Sequence, residues 1–83
     1  MNIQLIQGQF NAKDAISIFS QMIHVKIRYH EDKIDSSSNE EDIKFRETKI
    51  KRLQKDLSEA RTYVDSQAGK VIVQSDIHLS IEQ

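Results

Sequence analysis

The sequence contains no cysteine, no proline and only two glycines, Gly8 and Gly69. The absence of cysteine excludes disulfides, thiolate nucleophiles and thiolate metal ligands. Two isolated glycines do not form the glycine-rich loop that cradles phosphates. The longest aliphatic run, Val71-Ile72-Val73, is far shorter than a membrane span or the apolar region of a signal sequence. The composition therefore predicts a cytoplasmic protein without a membrane partner.

The chain also lacks a large excess of either charge. Its 83 residues carry 12 basic and 13 acidic side chains, which gives a formal net charge of −1. This balance excludes a strongly basic, DNA-coating protein and a strongly acidic, solvating tail. The length fits a single domain, residues 1–83. Hydrophobic residues make up 37% and charged residues 30%, which indicates long solvated helices around a thin core.

Two kinds of apolar periodicity are present along the chain. Alternation is typical of half-buried strands, whereas a repeat of three to four residues is typical of amphipathic helices. In chain order the pattern predicts strand 2–7, helix 12–34, loop 35–39, helix 40–68 and strand 70–82. The predicted fold is α+β with the order β-α-α-β. An antiparallel two-helix hairpin packs on a small antiparallel sheet formed by the terminal strands.

Individual residues mark the ends of these elements. Asn11 is a suitable N-cap for the first helix, and Ser38 and Asn39 compete as N-caps for the second. Gly69 is expected to end the second helix as a left-handed cap. Gly8 is expected to break the first strand.

The apolar positions of the two helices match in an antiparallel register. Residues that face each other in such a hairpin have a nearly constant sum of residue numbers. Six apolar pairs meet this condition: Ala12 with Val64, Ile16 with Ala60, Phe19 with Leu57, Ile23 with Leu53, Ile27 with Ile50, and Ile34 with Ile43. The same register places His30 opposite Arg46, which predicts one polar layer near the loop.

The first helix has more apolar surface than the hairpin uses. Its apolar arc spans roughly 200°, so it needs two neighbours. The residues that the second helix leaves uncovered are Ala15, Ile18, Met22, Val25 and Tyr29. We expect the terminal strands to cover them.

The predicted strands differ in length, and this difference indicates self-association. About half of strand 70–82 has no partner in the shorter strand 2–7, and a long unpaired edge favours pairing with another chain. The simplest closure is a two-fold homodimer with a four-stranded sheet under the helices. The residues predicted at the oligomer interface are Val71, Ile72, Val73, Ile77, Phe45 and Tyr63.

No group of residues predicts catalysis, a metal site or a cofactor. The three histidines lie on different faces or elements, and no pair of them has helical metal-ligand spacing. The sequence therefore predicts a non-enzymatic, homo-oligomeric interaction or regulatory module without a cofactor. The expected partners are a second copy of the same chain and, in addition, a different protein.

Two other functions stay open. Six basic residues fall within the segment Lys44–Lys55, of which Lys44, Lys51 and Lys55 share one line along the helix. This segment predicts a nucleic-acid-associated dimer as the first alternative. The second alternative is a small anion-binding protein, because four potentially cationic side chains lie near the loop end of the hairpin. They are Lys26, His30, Lys33 and Arg46.

Overall fold

A computed structural model describes residues 1–66 and 69–82. The elements are β1 (Asn2–Phe10), α1 (Ala12–Asp35), α2 (Glu40–Asp65) and β2 (Val71–His78). The strands form a two-stranded antiparallel sheet and the helices form a hairpin. The predicted α+β class and β-α-α-β order are therefore confirmed.

Asparagine side chains begin both helices. At α1, Asn11 Oδ1 accepts a hydrogen bond of 2.8 Å from the backbone amide of Asp14. At α2, Asn39 and not Ser38 is the N-cap, and its Oδ1 accepts hydrogen bonds from two first-turn amides at 2.9 and 3.1 Å. These amides have no partner within their helix, so the caps stabilise both helix starts.

The first strand is longer than predicted. β1 continues through Gly8, which pairs with Val73, and ends at Phe10. The prediction that Gly8 breaks the strand is wrong. Gly8 stays in the ladder and, unlike Gly69, does not have a positive φ. A register irregularity lies between Gln4 and Ile6.

The second strand is shorter than predicted and is paired along its whole length. β2 runs from Val71, opposite Phe10, to His78, opposite Asn2. Beyond the strand, Leu79 exchanges two hydrogen bonds with the first residue of the chain, at 2.7 and 2.9 Å. The premise that half of this strand lacks a partner is therefore wrong, because β1 is longer and β2 shorter than their alternation indicated. Each strand still has one free edge.

The second helix ends earlier than predicted. α2 ends at Asp65, with Ser66 as its C-cap, and the predicted end at Ala68 lies outside the described residues. Gly69 has the left-handed φ expected of it, +97°. It belongs to the connection between α2 and β2, where a residue with a Cβ atom would be strained.

The core is thin and follows the contact between the two helices. Its buried apolar side chains are Ala15, Ile23, Leu53 and Val64, and His30 is the buried polar side chain. Most of the other predicted pairs are half-buried. Ile23 and Leu53, predicted to face each other, are both in this core. The core thus lies mainly between two helices.

The sheet packs on the hairpin only at its base. There Ala15 and Val64 border the same small cavity as Val71 and Val73. Met22, Val25 and Tyr29 further along α1 are exposed, so the prediction that the strands cover them is wrong. The ribbon is two strands wide, and its far end, at Ile3, Leu5 and Ile77, is itself exposed.

Candidate interaction surface and charged pocket

One line of apolar side chains that lack full cover runs along α1, and we call it the α1 stripe. It consists of Ile18, Met22, Val25 and Tyr29. The spacing of four, three and four residues places these side chains in one row, as in the seam of a coiled coil. Ile18 is half-buried and the other three are exposed, with Val25 at 72%. Such a row normally packs against another helix.

The molecule exposes more surface than a compact protein of its mass. Its accessible area is 6918 Å², whereas a compact monomer of 9.6 kDa exposes about 5,100 Å². Its radius of gyration is 15.6 Å, against about 12 Å for a compact chain of this length. The excess area is about 1,800 Å², and part of it lies on large apolar side chains.

The predicted interface residues fall into two groups. Val71 and Val73 are half-buried toward the helices at the base of the hairpin. The other four, which are exposed, are Ile72, Ile77, Phe45 and Tyr63. The outer face of the ribbon around Ile72 is mostly polar, because the neighbouring pairs on that face are Gln7 with Gln74 and Gln4 with Asp76. The oligomer interface itself stays a prediction.

The polar layer is present where the hairpin register places it. Arg46 Nη1 lies 3.2 Å from His30 Nδ1, and Arg46 Nε lies 3.4 Å from Asp42 Oδ2. His30 is only 8% exposed. A guanidinium can only donate hydrogen bonds, so Nδ1 of His30 must accept and its proton resides on Nε2. The layer therefore holds a neutral imidazole of one tautomer.

The surroundings of His30 keep it neutral. Burial lowers the pKa of His30 below its usual 6.5, and the charges of Arg46, Lys26 and Lys49 lower the pKa further. Both effects disfavour the imidazolium, because burial removes its hydration and nearby cations repel it.

A pocket of about 190 Å³ opens beside this imidazole, which we call the His30 pocket. Its lining residues are Lys26, His30, Lys49, Arg52, Leu53 and Asp56. Lys26 and His30 were predicted members of a cationic cluster, and Arg46 contacts His30. Lys33 Nζ instead lies 5.7 Å from the Tyr29 ring centre.

Sequence reasoning missed two cations of this pocket. The sequence pattern groups Lys49 and Arg52 with the basic segment of α2 and not with the cluster. The constant-sum register contained the signal, because it places Lys49 level with Ile27, next to Lys26. The register of the apolar pairs, applied to charged residues as well, predicts that Lys49 lies near Lys26.

The basic segment Lys44–Lys55 does not present all its charges on one surface. Lys49 and Arg52 border the His30 pocket, and Arg46 is bonded into the polar layer. Lys44 and Lys51 are exposed, and Lys55 pairs with Glu59 at 3.9 Å. The nucleic-acid alternative stays a prediction.

Across residues 1–66 and 69–82, neither helix has an apolar stretch that could cross a membrane. The same residues contain no group of three side chains placed to hold a metal ion. Comparison of the chain with protein-family models, curated proteins and solved structures finds no match.

Proposed function

We propose that this chain is a non-enzymatic, cytoplasmic interaction module that works as a homodimer and uses the α1 stripe as its contact. The accessible surface is the observation that carries this proposal. The area in excess of a compact monomer is about 1,800 Å², whereas a specific interface buries about 800 Å² on each partner. A second copy supplies the apolar cover that the chain lacks.

The α1 stripe is a better contact than the outer face of the ribbon. Its four side chains follow coiled-coil spacing, and α1 already forms one half of a helical hairpin. Pairing two hairpins through α1 produces a four-helix bundle, a common architecture for helical dimers. The outer face of the ribbon offers Ile72 among glutamines and Asp76, which gives little apolar area to bury.

The charges on α1 favour an antiparallel, two-fold arrangement. Asp32 continues the row three residues beyond Tyr29. In a parallel pair the two copies of Asp32 would face each other, and like charges in such a position are destabilising. In an antiparallel pair, Met22 faces Val25 of the partner subunit and Ile18 faces Tyr29 of the partner subunit. The contact is then self-complementary, as a two-fold interface requires.

Two substitutions with equal starting exposure test this contact. Val25 on the α1 stripe and Ile72 on the ribbon are both 72% exposed, so glutamate at either costs little in a monomer. Light scattering at tens of micromolar should give twice the 9.6 kDa chain mass for the unchanged protein and for Ile72→Glu. Val25→Glu should give the mass of one chain, with the helical circular dichroism retained.

Two outcomes would contradict the proposal at different levels. A monomeric mass for the unchanged protein overturns the homodimer itself. A dimer that Ile72→Glu dissociates and Val25→Glu does not would leave the module in place, but it would move the contact to the outer face of the ribbon.

A further inference from the structure

The His30 pocket is lined by three cations that form no ion pair and by one carboxylate, Asp56. In the described part of the chain the side-chain ion pairs are Arg46 with Asp42 and Lys55 with Glu59. Lys26, Lys49 and Arg52 form none, although acidic residues outnumber basic ones in the chain. Three cations without an ion-pair partner therefore border one small concavity, and one of them, Lys49, lies over the Phe45 ring at 5.2 Å from its centre. A bound anion would reduce the repulsion among these cations.

His30 supplies a fixed donor at the same place. Its Nδ1 is occupied by Arg46, so the polar group it has left for a ligand is the Nε2–H. Within residues 1–66 and 69–82, no side chain or backbone carbonyl accepts a hydrogen bond from this group. The imidazole is more than nine-tenths buried, so its orientation is held by packing and by Arg46. A rigid N–H donor among cations suits an oxyanion.

Size and charge narrow the ligand class. The pocket of about 190 Å³ has the volume of roughly six water molecules, which is enough for a tetrahedral oxyanion. The three cations and the carboxylate of Asp56 leave a local charge of about +2 (three positive minus one negative). A phosphate monoester carries about −1.5 to −2 at neutral pH. Arginine binds phosphate oxygens in a bidentate manner and lysine contributes a point charge.

From this geometry we infer that the His30 pocket binds a phosphate group of a small molecule, held by Lys26, Lys49 and Arg52 and by the Nε2–H of His30. None of these four side chains belongs to the α1 stripe, but the His30 ring lies edge-on to Tyr29 of the stripe, with 5.5 Å between the ring centres. Asp56, which also lines the pocket, repels an anion there.

Histidine signals provide a direct test. The chain has three histidines, and His24 and His78 are exposed and lie outside the pocket. We would titrate the full chain, in its own oligomeric state, with inorganic phosphate and with phenyl phosphate. Sodium chloride would hold the ionic strength constant. The imidazole NMR signals of His30 should shift and saturate, while those of His24 and His78 should not.

Variants that each remove one charge distinguish a specific phosphate site from general electrostatic attraction. Arg52→Gln should weaken phosphate binding about tenfold, since a charge-assisted hydrogen bond is worth about that factor. Asp56→Asn should strengthen binding several-fold, because it removes a repelling charge. The matched controls on the same helix, Lys44→Gln and Glu47→Gln, lie outside the pocket and should stay within about twofold of the unchanged protein.

Each result decides the inference. Saturation by phenyl phosphate as well as inorganic phosphate supports a phosphate monoester as the ligand, and saturation by inorganic phosphate alone supports the free anion. Absence of a saturable His30 shift with either probe overturns the site. Equal weakening by Lys44→Gln and Arg52→Gln also overturns it, because it shows only general electrostatic attraction.

Discussion

Two apolar rows run along α1, and the molecule covers only one of them. Ile23 belongs to the row that faces α2 and is 9% exposed, whereas Val25, two residues later, belongs to the α1 stripe and is 72% exposed. The side-chain types and their spacing are similar in both rows. The rows differ in their neighbours, because α2 follows α1 along its length while the ribbon reaches only the first turns. Apolar periodicity thus shows which faces need cover without showing what covers them.

The largest expected difference is in the free energy of unfolding, when one residue in each row is replaced by alanine. Ile23→Ala should lower the free energy of unfolding by about 2–3 kcal/mol, since it removes buried methyl groups and leaves a cavity. Val25→Ala should change it by less than about 0.5 kcal/mol at a concentration where the protein is monomeric. Urea denaturation monitored by circular dichroism measures both. Equal losses would show that the α1 stripe is already covered within one chain.

A smaller loss of folding free energy is expected from a substitution in the loop that joins α1 to α2. Asn39 caps α2 through two hydrogen bonds, so Asn39→Ala should destabilise the fold by about 1 kcal/mol. Ser38→Ala is the control, because Ser38 is exposed and is not the N-cap. The midpoint of urea unfolding reports both changes. A larger loss for Ser38→Ala would contradict the capping assignment.

The smallest expected effect is a pH dependence of the free energy of unfolding, and it should come from His30 in the polar layer. The folded state lowers the pKa of His30 below the usual 6.5 through burial and through Arg46, Lys26 and Lys49. As the pH falls below about 6.5, the unfolded chain takes up a proton that the folded chain refuses, so the free energy of unfolding decreases. This loss levels off once the pH is below the folded-state pKa.

Urea unfolding between pH 5 and pH 7.5 measures this dependence. His30→Gln should flatten that part of the profile relative to the unchanged protein. Parallel profiles for the unchanged protein and His30→Gln would refute the role assigned to burial.

The sequence predicted the helical half of the molecule well and the strand half less well. The helical hairpin follows from local periodicity, and the constant-sum register correctly brought His30 to Arg46. The strand limits depended on pairing between distant segments. Alternation in residues 70–82 continued past His78, where the strand ends, and Gly8 stayed inside a ladder that its own type did not favour.

The charged pocket was half predicted for a similar physical reason. Lys26 and His30 were grouped because they lie one helical turn apart on α1. Lys49 and Arg52 lie beside them because the face of α2 that carries these two residues turns toward the pocket. A run of basic residues in the sequence does not show which face of a helix each residue occupies. The α1 stripe was correctly identified as apolar, but the cover assigned to it was wrong, because coverage depends on where the ribbon points.

The pairing of β1 with β2 also determines when the fold can be completed during synthesis. Roughly sixty residues separate the two strands, and a ribosome adds about 5–20 residues per second, so β1 is made about 3 to 12 s before its partner exists. The helical hairpin needs only local contacts and can form in that interval. β1 therefore precedes the hairpin in synthesis but is paired only after the hairpin has been made, and Ile3, Leu5 and Ile6 meanwhile remain accessible to chaperones and to neighbouring nascent chains.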